Sequence, residues 1–161
     1  MVFVTARRYH DGMISKAEKG DLPGILALQL RAFGRVAQHL NADTLPPLQQ
    51  TIEDLLEESA DTVFLKYTVN GHITGSVRGQ LDAEGVCHVG KLIVDPACQN
   101  CGIGRALMTA IEEHFRNQAV RYVLFTSDHT PNTLHLYRSL GYRELHRKDM
   151  NGLTMIFMEK Q

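Results

Sequence analysis

No stretch of this chain is apolar for long enough to cross a bilayer: a spanning helix needs about 20 mostly apolar residues in a row, and none of its 161 residues lies in such a run. The first ten residues carry two arginines but no apolar block of the kind that marks a secretion signal. An excess of one charge is also missing. The 17 Lys and Arg nearly balance the 18 Asp and Glu, so there is no global field to hold a nucleic-acid backbone and no tail of like charge. Cysteine is scarce and odd in number, with Cys87, Cys98 and Cys101 only, which suits a reducing compartment rather than a disulfide framework. These absences exclude membrane and nucleic acid as expected partners and predict a cytoplasmic location. Cys98 and Cys101 form a C-x-x-C pair, but zinc needs two more ligands at matched spacing. Cys87 and His88 are adjacent on a predicted strand and point to opposite faces, so no metal is expected.

What is present suffices for one core. With 43% hydrophobic residues and 5 prolines, the chain reads as a single domain over residues 1–161. A short strand is predicted over Met13–Ala17. Asp21 and Pro23 then start a helix running to about Phe33. Gly34–Pro47, with its prolines and mixed polarity, reads as a loop, and Thr51–Ser59 as a short acidic helix. Val63–Val69 and His72–Leu81 are strands around an Asn70-Gly71 hairpin turn, and Val86–Val94 is a third strand. Apolar residues at Ile103, Leu107, Ala110, Ile111 and Phe115 mark a helix from Gly102 to about Gln118. Tyr122–Ser127 is a buried strand; Thr130 caps a helix that Pro131 opens and Gly141 stops. Tyr142–Asp149 and Leu153–Lys160 close the chain as strands. The order β-α-α-β-β-β-α-β-α-β-β predicts an α+β fold, a mixed central sheet flanked by helices, not a regular parallel repeat.

The most informative stretch runs from Leu92, Ile93 and Val94 through Asp95-Pro96 to Gln99, Asn100, Cys101, Gly102, Ile103, Gly104 and Arg105. A strand enters a loop whose glycines sit where a long amphipathic helix begins. Unpaired backbone N–H groups converge there on one point, which attracts an anion such as a pyrophosphate. The plainer reading is a glycine-containing turn. A P-loop would place a lysine and a serine or threonine after the last glycine, whereas here Arg105 and Ala106 follow.

The stretch resembles the signature of the GCN5-related N-acetyltransferases: a strand ending in Val-Asp-Pro, then Gln/Arg-x-x-Gly-x-Gly, then helix, matched by Gln99, Gly102 and Gly104. A second element of that family, Tyr followed by Leu-Gly-Phe or Leu-Gly-Tyr, is matched by Tyr137 and Leu140-Gly141-Tyr142. The resemblance implies a GNAT-like sheet whose strands Val86–Val94 and Tyr122–Ser127 splay apart. Acetyl-coenzyme A, the implied acyl donor, would lay its pantetheine arm between them, pairing with main chain near Leu92–Val94. It implies that Tyr137 protonates the departing sulfur, beside the alternative that Tyr137 only packs its helix on the sheet. Counting back eleven positions from Gln99, where some members carry a basic glutamate, lands on His88. An imidazole can do the same work, beside the alternative of a strand histidine satisfied by a neighbour. The position of a pantetheine-binding asparagine falls on Thr130, with Asn132 as a nearby substitute.

The expected reaction is acetyl transfer from acetyl-coenzyme A to a primary amine of a small molecule, a lysine or a peptide N-terminus, by direct attack in a ternary complex. A longer acyl donor and a non-catalytic acyl-coenzyme A sensor are the alternatives. Acceptor recognition is expected in Met13–Glu58, where Arg31, Arg35 and His39 suit an acidic acceptor and Glu53, Glu57 and Glu58 a cationic one. The resemblance leaves a homodimer open.

Overall fold

The computed structural model describes residues 7–9, 12–40, 46–99, 101–128, 131–150 and 152–161. Two antiparallel strands, β1 (Arg7–Tyr9) and β2 (Gly12–Lys16), open the chain, one strand more than the sequence pattern predicts. A 3₁₀ turn leads into α1 (Leu22–Leu40). This helix runs past Phe33 as far as Leu40, so the loop expectation is corrected for its first part, and residues 41–45 lie outside the described residues. A lone glycine inside a helix costs only about 1 kcal/mol relative to alanine, and Gly34 has open space around it. One further helical turn, α2 (Pro46–Gln49), precedes α3 (Ile52–Glu58). Thr51 starts α3 with a reciprocal cap: its hydroxyl accepts from the Asp54 N–H at 3.2 Å, and the Asp54 carboxylate accepts from the Thr51 N–H at 2.9 Å.

Strands β3 (Val63–Val69), β4 (His72–Leu81) and β5 (Val86–Val94) form the predicted meander. Asn70 and Gly71 both have positive φ, 51° and 79°, as a two-residue hairpin turn of matching twist requires. Then come α4 (Ile103–Phe115), β6 (Arg121–Ser127), α5 (Pro131–Ser139), β7 (Arg143–Met150) and β8 (Leu153–Lys160). The strands make one mixed sheet in the order β1-β2-β3-β4-β5-β6-β8-β7. Among the described strands only β5 and β6 pair in parallel: α4 returns the chain to the same end of the sheet and β6 settles beside β5, whereas α5 does the same between β6 and β7 but β8 lies between those two. The expected α+β sheet flanked by helices is what forms.

Helix α4 packs one face of the sheet, where its buried Leu107, Met108 and Ile111 join Leu65, Val77, Cys87, Val89 and Leu124 in the main core. It sits deep because β4 offers glycine at the contact. A Cβ on Gly75 would lie 2.8 Å from Ile103 Cγ2, and one on Gly79 would lie 2.8 Å from both Ile111 Cγ1 and Phe115 Cε2. The opposite face carries α1 and α3 over a smaller cluster of Leu22, Ile25, Leu55 and Phe64. Replacing Gly79 with valine forces α4 off the sheet. We expect a loss of about 1–3 kcal/mol, read as a melting temperature lowered by roughly 2–4 °C for each kcal/mol at this chain length.

Candidate active site

The parallel ladder between β5 and β6 is three rungs long, Val86↔Arg121, Cys87↔Tyr122 and His88↔Val123. Both strands continue beyond it. β5 remains paired on its other edge to β4 as far as Val94↔Gly75, and β6 to β8 as far as Ser127↔Met155. The two facing edges therefore diverge from Val89 onward, leaving a wedge-shaped gap in the middle of the sheet lined by main-chain groups without a ladder partner. The cause is local. Between the Ser76↔Ile93 and Arg78↔Gly90 pairs, Val77 alone is opposed by both Lys91 and Leu92. This is a β-bulge, and Lys91 takes the left-handed conformation at φ 49°. An extra residue on one strand bends it and increases its twist, which turns β5 away from β6.

The bulge also corrects the face assignment made from strict alternation. His88 and Gly90 do share a face, the one away from α4, but Leu92 and Val94 do not join them. They pack with the α4-side core, close enough that a Cβ on Gly104 would meet Leu92 Cδ2 at 3.8 Å and Val94 Cγ2 at 4.0 Å. One inserted residue flips the parity of everything after it.

At the open end of the gap, Asp95 fixes the loop that leads to α4. Its N–H donates to Thr74 O at 2.8 Å, its carboxylate accepts from the Ala97 N–H at 3.0 Å, and its carbonyl accepts from the Cys98 N–H at 2.8 Å. Arg31 of α1 reaches the same carboxylate at 3.3 Å. Gln99, Cys101 and Gly102 are exposed. Gly102 precedes the helix at φ 79°, and a Cβ there would meet nothing within 4 Å. The first helical bond runs from the Ala106 N–H to Gly102 O at 3.0 Å, so the N–H groups of Ile103, Gly104 and Arg105 precede the ladder and stay available. The Ile103 side chain is buried under the helix and can contribute only main chain to a ligand. Arg105 donates to the Ser139 hydroxyl at 2.7 Å, clipping the first turn of α4 to α5. Asn132 is exposed at the start of α5. Asn100 and Thr130 lie outside the described residues.

Tyr137 is buried, and desolvation holds its hydroxyl well above the usual phenol range, so it stays protonated throughout the neutral region. Its ring meets Tyr142 edge-on, centroids 5.9 Å apart. The Tyr142 hydroxyl donates to the Glu112 carboxylate at 3.1 Å, as does Lys160 at 2.6 Å, while the Tyr122 hydroxyl donates to the Glu112 carbonyl at 2.7 Å. Burial also pushes the Cys87 thiol up to about 12, which makes it inert at neutral pH.

His88 sits at the last rung before the gap opens, on the face away from α4, with 56% of its side chain exposed. Its Nε2 lies 2.9 Å from Asp82 Oδ2. Asp82 is itself pinned, since its Oδ1 accepts from the N–H groups of Glu84 at 2.9 Å and Val86 at 3.0 Å. The hydrogen bond to His88, helped by the Val86 N–H, holds the Asp82 carboxyl below its ordinary range. The structure therefore puts Tyr137 and His88 on opposite faces of the sheet, and only the gap connects the two faces.

Sequence reasoning missed Asp82 as the partner of His88. The signal was available: a hairpin that pairs Leu81 with Cys87 puts Gln80 opposite His88 and Asp82 one diagonal step away on the same face. It also missed Arg78, which is 3% exposed on β4. Arg78 donates to Glu58 at 2.8 Å, to Gln50 at 3.3 Å and to Gln29, and lies 4.5 Å from the centre of the Phe64 ring. This cluster ties α1 and α3 to the sheet. Glu58 and Arg31, both read as acceptor candidates, are engaged with Arg78 and Asp95. Among the described residues no group of three or more His, Cys, Asp or Glu is placed to hold a metal ion, and no helix is long and apolar enough to cross a membrane.

Comparison with known proteins bears on this geometry. The family described as Acetyltransferase (GNAT) matches residues 24–142. The Arabidopsis thaliana protein named GCN5-related N-acetyltransferase 1, chloroplastic, is 26% identical over 147 residues, covering 83% of this chain and 72% of that protein. UPF0157 protein YqkA of Bacillus subtilis (strain 168) is 25% identical over 120 residues; the match covers 74% of this chain and spans 34% of the length of that relative. Among solved structures, the PaiA N-acetyltransferase of Thermoplasma acidophilum, in complex with coenzyme A, superposes with a TM-score of 0.78 at 16% identity, over 93% of this chain and 98% of that one. That last likeness is one of fold.

The Asp82–His88 contact makes a measurable prediction. A folded-state pKa below the unfolded one contributes stability that is present above the ordinary carboxylate pKa and is lost as pH falls through the folded value. In His88→Ala the Asp82 carboxyl should move up toward its ordinary 3.8, followed by carbon-detected NMR titration. An unchanged Asp82 midpoint would show that the pair does not form in solution.

Proposed function

Because the chain belongs to the acetyltransferase (GNAT) family, we propose that it transfers an acetyl group from acetyl-coenzyme A to a primary amine, by direct attack within a ternary complex. The observation that carries this reading is the gap between β5 and β6 opening onto the loop at Gly102. A pantetheine arm carries amides that can complete the unpaired edge of β5 as an added strand would, along Leu92–Val94. A pyrophosphate suits the N–H groups at the start of α4, with Gly102 leaving the space it needs and Gln99, Asn100, Cys101, Ile103, Gly104 and Arg105 around it. Thr130 and Asn132 supply polar contacts to the arm. The coenzyme A complex of the PaiA acetyltransferase, whose fold this chain shares, supports the same assignment.

His88 then faces the acceptor. An alkylamine of pKa about 10.4 is mostly protonated at neutral pH, and His88 takes its proton, directly or through one water, with Asp82 orienting the ring and stabilising the imidazolium. The amine nitrogen forms its bond to the thioester carbon, a main-chain N–H at the edge of the gap holds the developing oxyanion, and the carbon–sulfur bond breaks. Tyr137 donates its proton to the departing sulfur. The desolvation that raises the phenol raises the proton affinity of a thiolate in the same surroundings, so the transfer stays feasible.

Calorimetry should show acetyl-coenzyme A binding that needs the pantetheine arm and weakens at least about tenfold in Gly102→Glu, since a carboxylate there repels the phosphates. Tyr137→Phe should keep the dissociation constant and lose about 10²-fold or more in kcat, within the range of general-acid contributions. Absence of binding at millimolar acetyl-coenzyme A by a protein with a normal melting curve would falsify the reading.

A further inference from the structure

On the sheet face away from α4, one row of residues crosses three strands: Phe64 on β3, Arg78 on β4 and Gly90 on β5. The first two are buried under α1 and α3, whereas Gly90 is exposed and a Cβ there would meet nothing within 4 Å. The row therefore ends in an open floor at the edge of the gap. His88 stands two residues before it and Lys91 directly after it. Among the described residues Lys91 makes no ion pair or hydrogen bond, yet it is partly buried. The charges that act on it are those of Arg78 and Glu58, and Glu58 is already bonded to Arg78 at 2.8 Å. One positive charge is left over beside the floor. The buried Arg78 also keeps an unpartnered Nε.

We infer that the acceptor is an amine bearing an anionic group, a carboxylate in its simplest form, and that Lys91 binds this group beside the open floor at Gly90. The inference rests on the proposed acetyl transfer and names the class of acceptor for it. Three features favour it. Lysine is an expensive choice for a left-handed bulge position, where glycine or asparagine sits more easily. Its ammonium has no carboxylate of its own to neutralise it, so an arriving anion meets an unpaired cation rather than displacing a bonded one. And His88 and Lys91 bracket Gly90 along β5, which suits an acceptor whose amine and anion are separated by a few bonds. Burial and the neighbouring Arg78 both pull the Lys91 pKa down, and an anion bound beside the ammonium would shift it back up.

The test uses matched acceptors that differ only in charge: β-alanine against β-alaninamide, and the amidated tripeptide Asp-Ala-Ala against Asn-Ala-Ala. Thiol release is followed with wild type, Lys91→Met, Lys91→Arg and Lys91→Gly. The glycine variant suits the left-handed backbone, so it removes the charge without adding strain. In wild type at least one acid should exceed its neutral partner in kcat/KM by about 10- to 100-fold, as for a charged hydrogen bond. Lys91→Met and Lys91→Gly should bring that ratio toward unity through KM, Lys91→Arg should retain part of it, and acetyl-coenzyme A affinity should be unchanged in all three. A merely structural lysine would lower both members of each pair alike. Turnover of the neutral amines at rates equal to or above the acids, no turnover of either acid, or a preference that survives Lys91→Met overturns the inference while leaving acetyl transfer standing. Failure to bind acetyl-coenzyme A overturns both.

Discussion

Everything distinctive in this molecule follows from one extra residue in β5. A regular β5 would keep pairing with β6 to its end, and the sheet would be closed. The bulge at Lys91 and Leu92 costs a short stretch of parallel ladder and produces an opening inside a sheet, a place where main-chain donors and acceptors are otherwise always satisfied. A gap of this kind is stable only if each strand is held from behind. β4 holds β5 as far as Val94 and β8 holds β6 as far as Ser127, so the two diverging strands do not collapse onto each other.

The surroundings of the opening are fixed by polar ties more than by packing. Asp95 links the loop before α4 to β4 and to α1, and Arg105 links α4 to α5. On the other face Arg78 gathers Gln29, Gln50 and Glu58 from the helical segment that covers β3 and β4. A buried guanidinium is tolerated because it is paired and hydrogen-bonded, and its planar fork sets the spacing of α1 and α3 in a way that an aliphatic contact would not. The side of the sheet away from α4 is thereby held by directional bonds, whereas the side under α4 is a close-packed apolar layer seated on two glycines.

The order of elements was legible in the sequence because each rests on a local signal: the apolar stripe of α4, the cap at Thr51, the turn at Asn70-Gly71. The length of α1 was not, since Gly34 looks like punctuation and only the open space around it makes it harmless. The loop at Gly102 and Tyr137 stood out only through a resemblance of motif. Which way the side chains of β5 face beyond Gly90 was not legible, since alternation is a rule for unbulged strands and the sequence Gly-Lys-Leu-Ile-Val announces no bulge. Asp82 could have been found from hairpin pairing alone. The Arg78 cluster could not, because its four members come from four segments and meet only after the chain has folded.

The three-rung ladder at Val86–His88 divides the sheet into an N-terminal half, β1–β5, and a C-terminal half, β6–β8. Beyond those rungs the described halves share core packing but no further rungs of the β5–β6 ladder. A molecule lodged in the gap touches main chain of both, and so serves as the missing part of the ladder. Its affinity and the cohesion of the two halves are then a single thermodynamic quantity: whatever tightens its hold also fastens the sheet. The seam proposed for the chemistry is also the seam along which the fold is weakest until it is filled.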